Sequence, residues 1–392
     1  MLSHKSSPGA HYGWWLVGIG VVILTLAGTQ LVGSFVSLLY SGDHVGTRAW
    51  LVREIAFSER VSLALLPLAG LAVDRFGPRS MLLAGLSLCA AAAIAASMIP
   101  VEGVALALLP VLIAGRVMGT STPVMAAINH WFHDRRALAI AVVLFAVSAL
   151  NLLPLPVFWG ERANTLALGT VILAVGLPLA AQVHLPNDMA GTHGNADESA
   201  VGGDKLWDDG HPTVEYGWVE AVRSREFWLL TVAAACLAAA DQLTLTLIFS
   251  VADYRFQLEG SYLTLENQHR IASVLFILVG GLVGTRVRLR TALLAFSLLH
   301  VIAVVLITFA PSAWWLFAGM LVLGAGSGGG VALGIAAVGE YFGRRRFATL
   351  RATHWLIVRM MAAPSAFGLL LFSDLLPNAR RPETGSIADS AN

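Results

Sequence analysis

The sequence predicts an all-α membrane protein with eleven transmembrane helices. Of its 392 residues, 57% are hydrophobic and only 12% are charged, about half the charged share of a soluble domain. The mean hydropathy is +0.73. The apolar residues fall into blocks of about 20, the length at which a helix crosses a hydrocarbon core of ~30 Å. Helices are expected because they satisfy their own backbone hydrogen bonds in lipid.

This composition excludes a soluble enzyme, a disordered chain and a nucleic-acid binder. The net charge is +1, from 25 basic and 24 acidic residues, so no overall field attracts a polyanion. Cys89 and Cys236 lie in apolar runs and offer neither a metal-binding spacing nor a disulfide framework. No paired carboxylates or nucleophile–base arrangement occurs at a usable spacing. We therefore expect no enzymatic activity, no metal and no cofactor.

The apolar blocks set the order of the predicted helices. The first is too long for a signal-peptide core and no cleavage site follows it, so we expect it to remain as a helix. A polar stretch without periodicity, residues 184–226, separates the sixth block from the seventh and predicts a flexible cytoplasmic linker. The blocks cover approximately residues 12–40, 56–73, 80–99, 103–127, 137–159, 163–183, 228–251, 271–285, 291–310, 313–338 and 349–373.

The distribution of basic residues predicts the orientation. With the N-terminus in the cytoplasm, the inside segments hold 15 arginines and lysines and the outside segments hold 8, the bias that the positive-inside rule requires. We expect a multi-pass protein of the plasma (inner) membrane with a cytoplasmic N-terminus. The charged stretch 53–60 is then placed at the outer interface, where long side chains can extend towards water.

The two sides of the linker resemble each other. Residues 131–136 (WFHDRR) and 341–346 (YFGRRR) are 210 apart, and GLAV at 70–73 and GLVG at 281–284 are 211 apart. Parallel repeats of this kind are a transporter architecture, with a substrate site near the midplane between the halves. A counterpart of the sixth block would begin near residue 373, where the sequence is polar. We therefore expect a twelfth helix to be missing.

Two motifs carry a family resemblance. Residues 70–79 (GLAVDRFGPR) resemble the signature between helices two and three of the major facilitator superfamily, and residues 131–139 resemble its entry to helix five. Together with 225–230 and 341–345, they are similar to the monocarboxylate and oxalate/formate branch. The resemblance implies a two-bundle fold: a six-helix bundle at 1–183, the linker, a five-helix bundle at 227–374 and a polar tail at 375–392.

Two arginines and one aspartate lie inside apolar blocks, where each charge costs about 2.5–3.5 kcal/mol and is expected to face the bundle interior. Arg116 resembles a family arginine tied to proton coupling, and Arg359 resembles a helix-eleven cation that faces a carboxylate substrate. Either arginine can instead be structural. Asp241 can be a proton carrier, the ion-pair partner of Arg116 or Arg359, or a structural residue.

Weaker candidates for the cavity lining are polar residues in helices one and five. Gln30, Ser34 and Ser37 share one helical face, and Asn151 lies in the fifth block. Interhelical hydrogen bonds without a transport role are the alternative interpretation.

The signature between helices two and three predicts a gating loop made of Gly70, Asp74, Arg75, Gly77 and Arg79. In the family, the aspartate helps to close the cytoplasmic side against the second half, and a helix N-terminus is one place where Asp74 could act. For the arginines alone, positive-inside anchoring is the simpler interpretation.

These features predict a secondary transporter of a small organic anion, a mono- or dicarboxylate, that works by alternating access. We expect the partners to be the anion, protons or a counter-anion, and the lipid bilayer, and we expect a monomer that binds no nucleic acid. One alternative is proton-driven efflux of small amphipathic compounds. Another is a truncated or degenerate homologue that does not transport.

Overall fold

The fold is known from a computed structural model, which describes residues 8–40, 48–99, 102–132, 135–152, 160–185, 215–256 and 262–375. Throughout these residues the regular structure is helical. Seven of the described helices are long and apolar enough to cross a membrane. This confirms the predicted all-α membrane fold, whereas the number of eleven crossings stays a prediction. The tail at 376–392 lies outside the described residues.

The helices follow the predicted blocks in order, and residues 153–159 of the fifth block lie outside the described residues. In the first half of the chain they are α1 (Pro8–Ile23), a π-helical segment (Leu24–Gln30), α2 (Leu31–Tyr40), α3 (Arg48–Phe76), α4 (Pro78–Met98), α5 (Glu102–Gly119), α6 (Ser121–Trp131), α7 (Arg136–Leu152), α8 (Glu161–Val171), a second π-helical segment (Ile172–Gly176) and α9 (Leu177–Ala181). After the linker come α10 (Trp218–Arg223), α11 (Arg225–Phe256), α12 (Tyr262–Gly284), α13 (Leu289–Thr308), α14 (Ala313–Phe342) and α15 (Phe347–Leu375).

Helix α3 begins earlier than its apolar block, so the charged stretch 53–60 is helical rather than a connection. Alternating charged and apolar residues there are compatible with a helix outside the hydrocarbon core, which hydropathy alone does not detect. Below, α1–α9 are called the first half and α11–α15 the second half.

Glycines bring neighbouring helices into backbone contact in both halves. In the first half, Gly85 of α4 packs directly on the backbone of Gly115 and Gly119 in α5. In the second half, a β-carbon at Gly328 of α14 would collide with the carbonyl oxygen of Ser273. Glycines of the run 324–330 therefore serve close helix packing.

The end of the predicted linker is structured, so the flexible linker at 184–226 is wrong over α10. The Glu220 carboxylate accepts a hydrogen bond of 3.2 Å from the backbone N–H of Gly217, just before the helix. The Trp218 indole donates to Thr353 Oγ1 at 3.3 Å, which fastens α10 to α15. A six-residue helix is too short to show periodicity, and tertiary contacts hold it.

The two halves pack tightly where α7 of the first half crosses α12 of the second. A β-carbon at Gly281 would overlap the side chain of Ala141, and one at Gly284 would lie 2.9 Å from the β-carbon of Ala137. The small side chains at 137 and 141 permit this close approach of the two helices. Both contacts lie near the end of the bundle that carries Arg135, Arg136 and Arg344–Arg346, called here the arginine-rich end.

Candidate functional site

At the arginine-rich end, Asp74 joins the two halves. Its carboxylate, in the last turn of α3, accepts hydrogen bonds from the backbone N–H groups of Ala348 (3.2 Å) and Thr349 (3.0 Å) and from the Thr349 hydroxyl (2.5 Å). These amides belong to the first turn of α15, where helical N–H groups have no partner within the helix. Asp74 therefore caps a helix of the second half, and its negative charge faces the positive end of that helix dipole.

Gly70, one turn before Asp74, lets the two backbones meet. A β-carbon at this position would lie 2.7 Å from the carbonyl oxygen of Ala348 and from the α-carbon of Thr349. A second contact between the halves is made by Arg351, which donates to the Ser121 hydroxyl at 2.8 Å. The spacing from 348 to 351 is one turn of α15, so one short segment of this helix contacts both α3 and α6.

The other residues of the predicted gating loop lie beside this cap. Gly77 has a φ of 82° between α3 and α4, a left-handed conformation that favours glycine. The Arg75 guanidinium lies 5.4 Å from the ring centre of Phe76, and Arg79 contacts His184 at 3.5 Å. The cap is thus formed by Asp74 and Gly70, while both arginines point to partners in the first half.

A second carboxylate, Glu215, holds the connection between α14 and α15 from the other side. It accepts hydrogen bonds from the backbone N–H groups of Arg344 (3.1 Å) and Arg345 (2.9 Å). Partial burial lowers the pKa of the Arg344 guanidinium, and the nearby Glu215 charge raises it and offsets part of that effect. Sequence reasoning missed Glu215 because it stands in a polar stretch without a motif.

Arg116 lies in α5, and one of its contacts is with the first helix of the first half. Its guanidinium lies 3.5 Å from the carbonyl oxygen of Gly28, which belongs to the π-helical segment of the first helix. Such a segment widens the helix and is frequent at functional sites. Arg116 lies 15 residues before the end of α6, which corresponds to ~22 Å from the arginine-rich end along the helix axis.

Arg359 is exposed and lies over the ring of Trp355, 5.5 Å from its centre. Arg351, Trp355 and Arg359 follow one another at intervals of four residues, so they share one face of α15. Arg351 on that face contacts Ser121 of the first half. Trp355 and Arg359 therefore lie on the face of α15 that is directed at the first half. Arg359 lies ~18 Å from the start of α15 along the helix axis.

Asp241 finds its partners within the second half and not at an arginine. Its Oδ1 atom accepts a hydrogen bond of 2.5 Å from the Ser327 hydroxyl and lies 3.4 Å from Nε2 of His269. The two histidines near it, His269 and His300, were not among the predicted residues. For His300, which lies inside the apolar block 291–310, the histidine itself was the available signal, because a buried imidazole needs polar partners.

The weaker candidates form a polar contact between the first and fifth predicted helices. The Gln30 amide donates to the Asn151 side-chain oxygen at 3.2 Å. The backbone carbonyl of Ser34 accepts a bond of 3.3 Å from Thr165. Gln30 and Asn151 are thus brought together, and the contact of Ser34 involves its backbone.

The helical architecture and the contacts between the halves at one end define a class: an integral, multi-pass membrane transporter. The family model for the Major Facilitator Superfamily matches residues 21–265, which is more than half of the sequence. The chain belongs to this superfamily. No curated protein sequence matches the chain significantly.

Solved transporter structures share the fold at low sequence identity. The outward conformation of FucP, the E. coli fucose:proton symporter, is 12% identical with a TM-score of 0.68, covering 93% of this chain and 92% of that one. The human organic anion transporter MFSD10 is 17% identical with a TM-score of 0.62, covering 92% of each chain. The proton:xylose symporter XylE is 15% identical with a TM-score of 0.59, covering 94% of this chain and 90% of that one.

Proposed function

We propose that this protein is a secondary transporter that moves a small organic anion, a mono- or dicarboxylate, by alternating access. The halves 1–183 and 227–374 would act as the two moving bodies, joined by the linker, in a monomer. The N-terminus and the arginine-rich end would face the cytoplasm of a plasma (inner) membrane. The observation that carries the choice of an anion is the exposed Arg359.

Arg359 is suited to a carboxylate for three physical reasons. Within the described residues it forms no ion pair, and its recorded partner is the aromatic face of Trp355. A guanidinium can bind a carboxylate through two parallel N–H···O bonds while its plane stays stacked on a ring. At ~18 Å from the start of α15, it lies near the middle of a ~30 Å hydrocarbon core, the depth at which related transporters bind substrate.

The contacts at the arginine-rich end support alternating access. Asp74 and Gly70 close that end by joining α3 to α15, and nothing covalent prevents their separation. A structure closed at this end agrees with a state that is accessible from the opposite side. The cap is also reversible, since each of its bonds can be replaced by water when the halves separate.

In the first half, Arg116 is the second cation of the proposed anion site. It occupies a depth similar to that of Arg359, ~22 Å from the arginine-rich end along its helix. Its guanidinium lies 3.5 Å from the carbonyl oxygen of Gly28 in the π-helical segment of the first helix. Two cations on opposite halves at one level would suit an anion held between them.

The test is uptake of labelled lactate and oxalate into proteoliposomes that contain the full chain. Arg359→Gln should reduce uptake at least tenfold, since a charge-assisted contact contributes about 1.5–3 kcal/mol. Arg116→Gln should also reduce it. The matched control is Arg270→Gln, because Arg270 is an exposed membrane-helix arginine whose partner, Glu266, lies one turn away.

Each outcome bears on the proposal. Loss of uptake in both variants with an unchanged control supports it. Unchanged uptake in Arg359→Gln would contradict the site. Transport of fucose or xylose but no anion by the unmodified protein would contradict the substrate class, and export of amphipathic dyes would favour the efflux alternative. Absence of any transport would favour the non-transporting alternative.

A further inference from the structure

A polar cluster lies inside the second half, with one residue on each of four helices. Asp241 comes from α11, His269 from α12, His300 from α13 and Ser327 from α14. The Ser327 hydroxyl is 2.5 Å from Asp241 Oδ1 and 3.3 Å from His300 Nε2, and His269 Nε2 is 3.4 Å from the same carboxylate oxygen. Four helices thus place their polar side chains at one point of an apolar bundle.

The hydrogen positions in this cluster are constrained by its acceptors. The only hydroxyl proton of Ser327 goes to the carboxylate, so His300 Nε2 must donate to Ser327 if that contact is a hydrogen bond. The other nitrogen, Nδ1, lies 3.2 Å from the carbonyl oxygen of Phe296, which only accepts. With Asp241 ionised, His300 therefore carries two protons and a positive charge. Asp241, Ser327 and His300 form an ion pair bridged by a hydroxyl.

The same atoms permit a proton transfer without movement of heavy atoms. The proton on His300 Nε2 passes to Ser327 Oγ while the hydroxyl proton passes to Asp241 Oδ1. Both partners become neutral, and no proton is gained or lost. The serine is thus a relay between a carboxylate and an imidazole.

The side chains of this cluster differ in how much of their surface is exposed. The side chain of Asp241 is 26% exposed whereas that of His269 is 9% exposed, and His300 is buried. Gly326 of α14 leaves space for the His300 ring, because a β-carbon there would lie 2.6 Å from His300 Nδ1. The carboxylate therefore faces the accessible side, and the imidazoles lie behind it.

We propose that Asp241, Ser327, His300 and His269 form the proton-binding site of the second half, so that protons and not a counter-anion drive the transport proposed above. This inference rests on the proposed transport function. The proton taken up is the second proton of His300, which ionised Asp241 holds through Ser327. The loaded cluster then carries one more positive charge than the empty one, which favours an anion nearby. By linkage, a bound anion favours proton uptake to the same extent.

Several other ionisable groups on neighbouring helices have recorded partners elsewhere. Glu266 and Arg270 of α12 pair with each other. On α15, His354 contacts the Thr231 hydroxyl at 3.0 Å and Arg351 contacts Ser121, and Arg359 lies over Trp355. The groups recorded near Asp241 are the two histidines.

The first test measures proton binding by the purified full chain without substrate, by potentiometric titration from about pH 8 to pH 5, the range in which histidine titrates. Removing His300 (His300→Gln) should reduce the protons bound in the unmodified protein. The same change should have little effect in an Asp241→Asn background, since His300 then lacks the carboxylate that holds its second proton. The matched control is His354→Gln, whose effect should be equal in both backgrounds.

Equal effects of His300→Gln in the two backgrounds would overturn the proposed site, whatever the protein transports. The second test uses proteoliposomes and labelled lactate. Asp241→Asn should lose accumulation driven by a pH gradient, by at least tenfold, and keep exchange of internal for external lactate. Loss of both, or of neither, would contradict proton coupling at this site. Absence of lactate exchange in the unmodified protein would count against the proposed function and leave the titration result standing.

Discussion

Replacing Asp74 by asparagine should shift the equilibrium between the closed and open forms of the arginine-rich end. The carboxylate accepts three hydrogen bonds from the first turn of α15. Asparagine keeps one oxygen acceptor, so about one charged hydrogen bond is lost, which corresponds to about 1.5–3 kcal/mol. The lost interaction with the helix dipole adds about 0.3–1 kcal/mol.

Together these terms are about 2–4 kcal/mol, which lowers the ratio of closed to open molecules roughly 30- to 700-fold at 1.4 kcal/mol per factor of ten. Pulsed electron spin resonance can measure this ratio from spin labels at two exposed positions, Arg79 on α4 and Arg290 on α13, after Cys236→Ser removes the exposed native thiol. The distance between the labels should increase in Asp74→Asn.

The neighbouring Arg75→Gln is the matched control, because Arg75 contacts Phe76 and not α15. If Asp74→Asn leaves the distance distribution unchanged, the cap does not hold the halves together. If Arg75→Gln broadens the distribution equally, general loss of charge accounts for the effect instead.

Three further predictions concern packing and the linker. Gly70→Ala should separate α3 from α15 and increase the same spin-label distance, because its β-carbon meets immobile backbone at 2.7 Å; an unchanged distance would show that the helices adjust within the closed form. Gly328→Ala should lower the melting temperature, since overpacking costs about 1–3 kcal/mol. Gly330 has open space around it, so Gly330→Ala should leave the melting temperature equal or raise it. Equal melting temperatures in the two variants would refute the packing argument. Glu215→Gln should speed hydrogen exchange of the backbone amides at Arg344 and Arg345, which it binds, and protection equal to that of the unmodified protein would show that other contacts hold this connection.

Much of the fold could be predicted because hydropathy reports burial in lipid directly. The blocks located the long helices in their order along the chain. Helix α10 could not be predicted this way, since six residues held by tertiary contacts leave no periodic pattern. The extension of α3 to Arg48 was missed because charged residues end an apolar block without ending a helix.

The sequence selected single candidate residues, but it did not show which residues they contact. A charge in an apolar block is conspicuous, so Arg116, Asp241 and Arg359 could be selected from sequence alone. Their partners could not, because a partner is fixed by which helices are neighbours. An ion pair with Arg116 or Arg359 was one of three interpretations of Asp241, whereas the packing of α11 with α13 and α14 brings Ser327 and His300 to it.

The short connection between α14 and α15 is held by two carboxylates that belong to different parts of the chain. When the arginine-rich end opens, Asp74 must release α15, but the bonds from Glu215 to Arg344 and Arg345 can persist. The end of the linker that contains Glu215 would then move together with the second half.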